Sequence, residues 1–376
     1  MDSSGAVVDP WHYPRPQLAD DYLRLFQLGL VSARGVFAKR RMGKSEFLEQ
    51  DLIPAAQAKD YLTAYVNLWD ARAQPTAALV AVLGRAVAPK GLVKLLAQLK
   101  TPVKKVKASA KFPGLADAGI EAELADKDAV LGPALSELLR GFNQPRKKLL
   151  LVLDEAQVLV EPAHTELAHS LRAGLDSRKA NIKVVFAGSS EPTLRRMFGE
   201  QRQPFYNWAA LEPFELLGEA FVLALVARVN AISRHPLAKK DALAAFEALQ
   251  RTPEFFRRYL TRFLTHFEHG SQGALDDTLA HVFADANFIN VWKALLPADQ
   301  EVLKLLAHGV SDLHAESTRL RLGQALGLQS AVTKNTPAQS LRRLLAGELV
   351  GKTSYASYQV QDDAFATWLR NCELDG

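Results

Sequence analysis

The sequence predicts an α/β fold, a largely parallel sheet with helices on its faces, followed by two smaller units that are mainly helical. Three observations predict it. Short apolar runs alternate with helical patterns through the first 210 residues, as buried strands joined by crossover helices do. After Glu212 the pattern becomes helical throughout. From about Asn287, helices lead into the alternating segment VGKTSYASYQV and then one last helix through Trp368.

The strand candidates are residues 35–38, 62–68, 149–153 and 182–187, each running into a turn or a helix start. Within 102–124, VKKVKASAKF and GIEAEL alternate with a period of two around Pro113-Gly114, which predicts a β-hairpin insertion. Its first strand is basic and its second acidic, so cross-strand pairing offsets part of the charge. The segments ELLGEAFVLALVARV, KKDALAAFEALQ and PEFFRRYLTRFLTHF carry apolar residues three and four apart, which predicts amphipathic helices packed as a lid. The expected division is 1–211 for the sheet domain, 212–285 for the helical lid and 286–376 for a unit with the element order of a winged helix.

Composition narrows the classes of function. A length of 376 residues with 48% hydrophobic and 23% charged side chains suits two or three globular domains. The single cysteine, Cys372, excludes an intramolecular disulfide and a cysteine metal cluster. No apolar run reaches the ~18–20 residues of a membrane-spanning helix. The opening MDSSGAVVDPWHYPRP has neither the basic nor the apolar region of an export signal, so a cytoplasmic setting is expected. Charge is unevenly placed: residues 71–116 hold nine Lys or Arg and no acid, whereas residues 286–376 hold nine of each.

The first motif is a phosphate cradle. A strand at 35–38, a loop Lys39-Arg40-Arg41-Met42 and then Gly43-Lys44-Ser45 open the helix EFLEQDLI. That order turns backbone N–H groups and a helix N-terminus toward phosphate, with Lys44 reaching the terminal phosphates and Ser45 a magnesium ligand. Ala38 stands where the pattern G-x-x-x-x-G-K-[ST] has its first glycine. On this segment alone, an ordinary helix start that reads Gly-Lys-Ser is the alternative. The second motif removes most of that alternative's weight: the all-apolar run LLLVLDEAQ ends in Asp154-Glu155, at the strand edge where open α/β sheets bind ligands. Asp154 is expected to hold magnesium through water, and Glu155 to orient and deprotonate the attacking water. A third strand, IKVVFAG, ends in Ser189-Ser190. Ser189 is the candidate there for contact with a γ-phosphate or the water; a turn or helix cap is the alternative. Arg195, Arg196 and Arg202 follow, as arginine-finger candidates for a neighbouring subunit or as solvated surface residues.

In this order of motifs the chain resembles the archaeal-type P-loop ATPases of the AAA+/STAND group. AKRRMGKSEFL, the strand end YVNLWD, LLLVLDEAQ, VVFAGSS, LQRTPEFF and the terminal helix-and-wing segment carry the resemblance. It implies a P-loop NTPase sheet with a helical lid and a C-terminal winged helix, ATP and Mg2+ as ligands, and a lid proline near the adenine, here Pro253. Arg257 and Arg258 are candidate lid cations toward the phosphates, or ordinary lid arginines. An arginine common in the family after the third strand is replaced by Trp208 in PFYNW.

DNA is the first candidate partner, by two routes. In the winged-helix reading, Leu341, Leu344 and Leu345 face inward while Gln339, Arg342 and Arg343 face outward, with Lys352 in the wing. The second route is the basic stretch Lys90–Lys111, whose alternative is a solubilising face neutralised by Glu121, Glu123 and Asp126. Three functional readings follow. One is a DNA-associated ATPase motor or loader whose ATP binding orders a homo-oligomer. The others are a nucleotide-driven switch whose winged helix binds a protein partner, and a nucleotide-binding scaffold with negligible turnover.

Overall fold

In β3 (Lys148–Asp154), six residues from Leu149 to Asp154 are buried. A strand covered on both faces must lie inside a sheet. The computed structural model describes residues 9–87, 131–144, 147–283, 286–347, 349–354 and 357–371. The expected hairpin at 102–124, the Lys90–Lys111 stretch and Cys372 lie outside the described residues.

The chain enters through α1 (Pro16–Gln27) and β1 (Ala33–Phe37). A continuous helical run then comprises α2 (Lys44–Phe47), a π-helical turn (Leu48–Leu52) and α3 (Ile53–Gln57). The π turn has a sequence cause: Pro54 has no N–H to donate to the Gln50 carbonyl and its ring would clash there, so the ladder widens just before it. β2 (Tyr61–Asn67), α4 (Pro75–Val87) and α5 (131–140) precede β3. After it come α6 (Thr165–Asp176), β4 (Ile182–Gly188), α7 (Glu191–Gly199) and β5 (Ala210–Pro213).

The five strands are parallel in the order β2-β3-β4-β1-β5. Their C-terminal ends are flush: Phe37 pairs with Gly188, and Asn67 with Asp154. The loops after β1, β3 and β4 therefore leave the sheet at one edge, beside the crossover from β1 to the far strand β2. This is the topological switch point at which such sheets bind ligands. One face carries a core of Leu151, Leu153, Phe186, Phe198 and Phe205 under α4 to α7; the other carries Val152, Val185, Phe47 and Phe26 under α1 to α3. β5 is a strand that the sequence reading omits, being only four residues with an exposed first and last residue.

The remaining helices are α8 (Glu219–Ile232), α9 (Lys239–Ala248), α10 (Pro253–Thr265), α11 (Gly270–Phe283), α12 (Ala286–Ala294), α13 (Pro297–Ala307), α14 (Glu316–Ala325) and α15 (Asn335–Ala346). The antiparallel hairpin β6 (Val350–Ser354) and β7 (Ser357–Val360) follows, then α16 (Asp363–Asn371). One hydrophobic core runs from Phe221 through Phe256 and Trp292 to Leu369, so lid segment and terminal unit pack together. In α10, Phe255, Phe256, Tyr259, Leu260 and Phe263 are buried, each worth about 1.5–3 kcal/mol. Its exposed Arg258–Glu254 pair is worth about 1 kcal/mol at most. Packing therefore sets the lid helix's orientation. One expectation for α15 is corrected: Leu341 and Leu344 are buried, but Leu345 is 37% exposed, because it falls one residue past the inward stripe.

Candidate functional site

The loop from Ala38 to Gly43 needs two left-handed residues, Arg41 at φ 68° and Gly43 at φ 80°. Glycine meets that need without cost, whereas Arg41 carries strain of the kind found at ligand-binding loops. The reversal aims the start of the helical run Lys44–Gln57 at the sheet edge. Lys44, only 5% exposed, bridges to Asp154, which is fully buried at the end of β3. Asp154 also accepts from the Ser45 hydroxyl, from Tyr65 Oη at 3.1 Å and from the Glu155 amide at 2.9 Å. Burial alone would raise the Asp154 carboxyl. The Lys44 charge and these donors outweigh it and hold the group below the ordinary carboxylate range. Burial, then the carboxylates of Asp154 and Glu49, push the Tyr65 phenol up, so it stays a donor.

Glu155 is left-handed as well, at φ 52°, and its carboxylate turns back over the strand end. Oε1 lies 3.7 Å from Lys44 Nζ, while Oε2 accepts from Ser189 Oγ at 2.7 Å and from Gln157 Nε2. Thus the residues expected to act together, Lys44, Ser45, Asp154, Glu155 and Ser189, meet at one point from three strand ends.

Beside them opens a cavity of about 600 Å³. Lys39, Arg40, Arg41, Met42, Gly43, Lys44, Ser45, Glu155 and Ser189 line it on the sheet side, and Pro253, Arg257 and Arg258 on the lid side. Ala38 is buried behind the loop, its N–H bonded to the Gly188 carbonyl at 3.3 Å.

No protein-family model matches the chain, and no curated protein matches it. Among solved structures it is similar to a Walker-type ATPase of Pyrococcus abyssi, with 16% identity, 95% of each chain covered and a TM-score of 0.59. It is also similar to the ORC2 protein of Aeropyrum pernix in its ADPNP-ADP complexes, with 16% identity, 94% of this chain and 91% of that chain covered, and a TM-score of 0.54. The chain has the P-loop NTPase fold.

In this P-loop NTPase fold the helices after β5 and the β6–β7 hairpin region touch the Ala38–Gly43 loop and the end of β4 directly. Arg41 donates to Asp362 at 3.2 Å and lies 3.5 Å from Glu254, its guanidinium over the Phe255 ring. Gln361 donates to Ser190 Oγ at 3.2 Å, and β6 packs on α7, with Pro192 against Gly351. Arg257 reaches Asp9 at 2.7 Å and Glu46 at 3.7 Å, while Arg258 pairs with Glu254. Beyond the β2 end, the guanidiniums of Arg40 and Arg72 lie over the Trp69 ring, 5.1 and 4.7 Å from its centre.

A second buried cluster lies just below the loop. His12 bonds Glu46 at 2.8 Å through Nδ1 and Asp51 at 3.0 Å through Nε2. Two carboxylate acceptors favour donation from both ring nitrogens, and so the cationic imidazole. Burial would lower it, but the hydrogen bonds to Asp51 and Glu46 and their charges raise it above its ordinary value.

The candidate DNA contacts separate. Arg343 forms a two-pronged pair with buried Asp299 at 2.7 and 2.8 Å, tying α15 to α13 rather than facing outward unpaired. Gln339 and Arg342 are exposed, and the Lys352 side chain lies outside what is described. Arg195 pairs with Glu191, and Arg196 and Arg202 are exposed. Trp208 is a core residue, its indole N–H toward Asp176 at 3.3 Å.

Sequence reasoning missed Gln157, Tyr65, Glu46, His12, Gln361 and Asp362. Gln157, Tyr65 and Glu46 had a signal, as members of LLLVLDEAQ, YVNLWD and the helix start after Ser45; His12, Gln361 and Asp362 come near the loop solely through tertiary packing.

Proposed function

We propose that this chain is a magnesium-dependent ATPase of the archaeal-type P-loop group, coupling nucleotide state to the docking of its C-terminal unit and thereby to DNA association or loading. The observation that carries the proposal is the meeting of Lys44, Ser45, Asp154, Glu155 and Ser189 beside a cavity walled by the lid helix. Lys44, released from Asp154, reaches the terminal phosphates, and the backbone of 39–43 lines their path. Glu155 accepts the proton of the attacking water, and Ser189 orients the γ-phosphate or that water. Pro253 lies against the adenine.

The Ser45 hydroxyl and the Asp154 carboxylate fit magnesium, because they are hard oxygen donors already side by side. Among the described residues no group of three His, Cys, Asp or Glu forms a metal cage, and magnesium at such sites needs few protein ligands besides the phosphates. Bound there, it would supply neutralisation of phosphate charge.

The test is magnesium-dependent ATP hydrolysis by wild type and Glu155→Gln, with and without duplex DNA at two salt concentrations. Wild-type hydrolysis that falls about 10²–10⁴-fold to a residual rate in Glu155→Gln, and that DNA raises in a salt-sensitive way, supports the proposal; no nucleotide binding by wild type overturns it.

A second reading, a switch whose terminal unit engages a protein partner, draws on the Arg41–Asp362 and Ser190–Gln361 contacts. A phosphate entering the loop competes with Asp362 for Arg41. This reading predicts hydrolysis indifferent to DNA, together with faster amide exchange across β6 and β7 when ATP is bound.

A further inference from the structure

Ala156, Val158 and Leu159, the neighbours of Gln157 in the 3-10 turn Ala156–Val160, are apolar and buried. A residue that only filled space there would be apolar too. Gln157 is instead a primary amide, 2% exposed. Its Nε2 donates to Glu155 Oε2 and, at 3.3 Å, to Ser189 Oγ. Its Oε1 is buried with no hydrogen-bond partner. The opposite orientation would set an amide oxygen against a carboxylate oxygen, both acceptors only. The Glu155 carboxylate therefore dictates how the amide lies, at the expense of one unsatisfied acceptor, and such groups call for a functional explanation.

The backbone beside it is shaped to admit that amide. A Cβ on Gly188 would lie 2.2 Å from Gln157 Oε1 and 2.9 Å from Leu194 Cδ1, so only glycine leaves room. Glu155 itself stands in a strained left-handed conformation, with Lys44 on one carboxylate oxygen and Gln157 and Ser189 on the other.

We infer that Gln157 is a positioning residue for hydrolysis, the fixed donor that holds the Glu155 carboxylate; the inference rests on the ATPase reading above. Ser189 must leave Glu155 whenever its hydroxyl turns to a phosphate or water. Gln157, held in the buried 3-10 turn with Glu155 Oε2 as the nearer of its two acceptors, stays. Without it the carboxylate is free to swing onto the Lys44 ammonium, away from a water to be deprotonated.

The experiment is single-turnover ATP hydrolysis in magnesium by Gln157→Leu and Gln157→Asn, each made also in the Glu155→Gln background. The dissociation constant of a fluorescent ATP analogue and the urea midpoint are measured alongside. Leu removes the donor at similar volume; Asn keeps an amide but falls a methylene short of Glu155. Both are expected to lower the rate constant at least about tenfold, a part of the ~10²–10⁴ that a general base supplies. Analogue affinity is expected to stay within about twofold, with no further fall in the Glu155→Gln background. An unchanged rate overturns the inference while leaving the ATPase reading intact, and so does a fall that tracks weaker binding or recurs in full without Glu155. A wild type that binds the analogue but never hydrolyses ATP overturns both.

Discussion

Replacing Lys44 by methionine in the nucleotide-free protein is expected to cost far more than a lost phosphate contact. Lys44 is 5% exposed and Asp154 fully buried, and the two are paired. Removing one partner of a buried pair leaves an uncompensated charge, a loss of about 3–5 kcal/mol. Asp154→Asn leaves the Lys44 ammonium with only Glu155, 3.7 Å away, and about 3 kcal/mol is expected. The double variant Lys44→Met/Asp154→Asn removes both buried charges of the pair and keeps one oxygen, enough for Ser45 and Tyr65 but not also for the Glu155 amide, so a loss of about 2 kcal/mol is expected. The coupling is then about 4–6 kcal/mol, at or somewhat above the ~4 kcal/mol Coulomb attraction of unit charges 4 Å apart at an effective dielectric of about 20. Urea titrations of the four proteins, read by far-UV circular dichroism, measure it. Single losses that simply add in the double variant would refute the reasoning. The sign of the pH dependence follows from Asp154 being held below its ordinary value: its stabilisation is present above the unfolded carboxyl's value and is lost as pH falls through the folded one. The same cycle repeated with saturating ATP and magnesium is expected to show a smaller coupling if phosphate takes Lys44 from Asp154.

Two further outcomes can be checked. His12 is held above its ordinary value between Glu46 and Asp51, with Arg257 against Glu46, the Arg15 amide on Asp51 and Arg228 on the His12 carbonyl. Its stabilisation is complete below the unfolded histidine's pKa and is lost as pH rises through the folded one, so denaturant midpoints should fall over that window in wild type and not in His12→Gln. Tyr259 is fully buried with its hydroxyl unpartnered; Tyr259→Phe is expected to raise unfolding stability by about 1 kcal/mol, and a loss of stability would mean that the hydroxyl has a partner after all.

Periodicity makes strands β1 to β4 legible within one or two residues, because each is a short apolar run ending in a turn. β5 escapes it, since a four-residue edge strand with a Pro at its end carries too few side chains for a pattern. The helical stripes of α10 and α15 are legible for the same reason that Leu345 is not: a stripe has a width, and its flank residue is decided by what packs beside it.

The sequence by itself determined the chemistry at the sheet edge. Gly-Lys-Ser after one strand and Asp-Glu at the end of another put a cation and a hydroxyl at a helix start and two carboxylates at a strand end, and a parallel sheet with flush ends has to bring these to one side. Only the tertiary structure decided what surrounds them. Asp362 meets Arg41 across 321 positions of sequence, and Gln361 meets Ser190 across 171. Lys44 and Asp154 bridge across 110 positions. Such pairings depend on the packing of the shared C-terminal core against the sheet domain, and residues so far apart leave no local pattern from which they could be read.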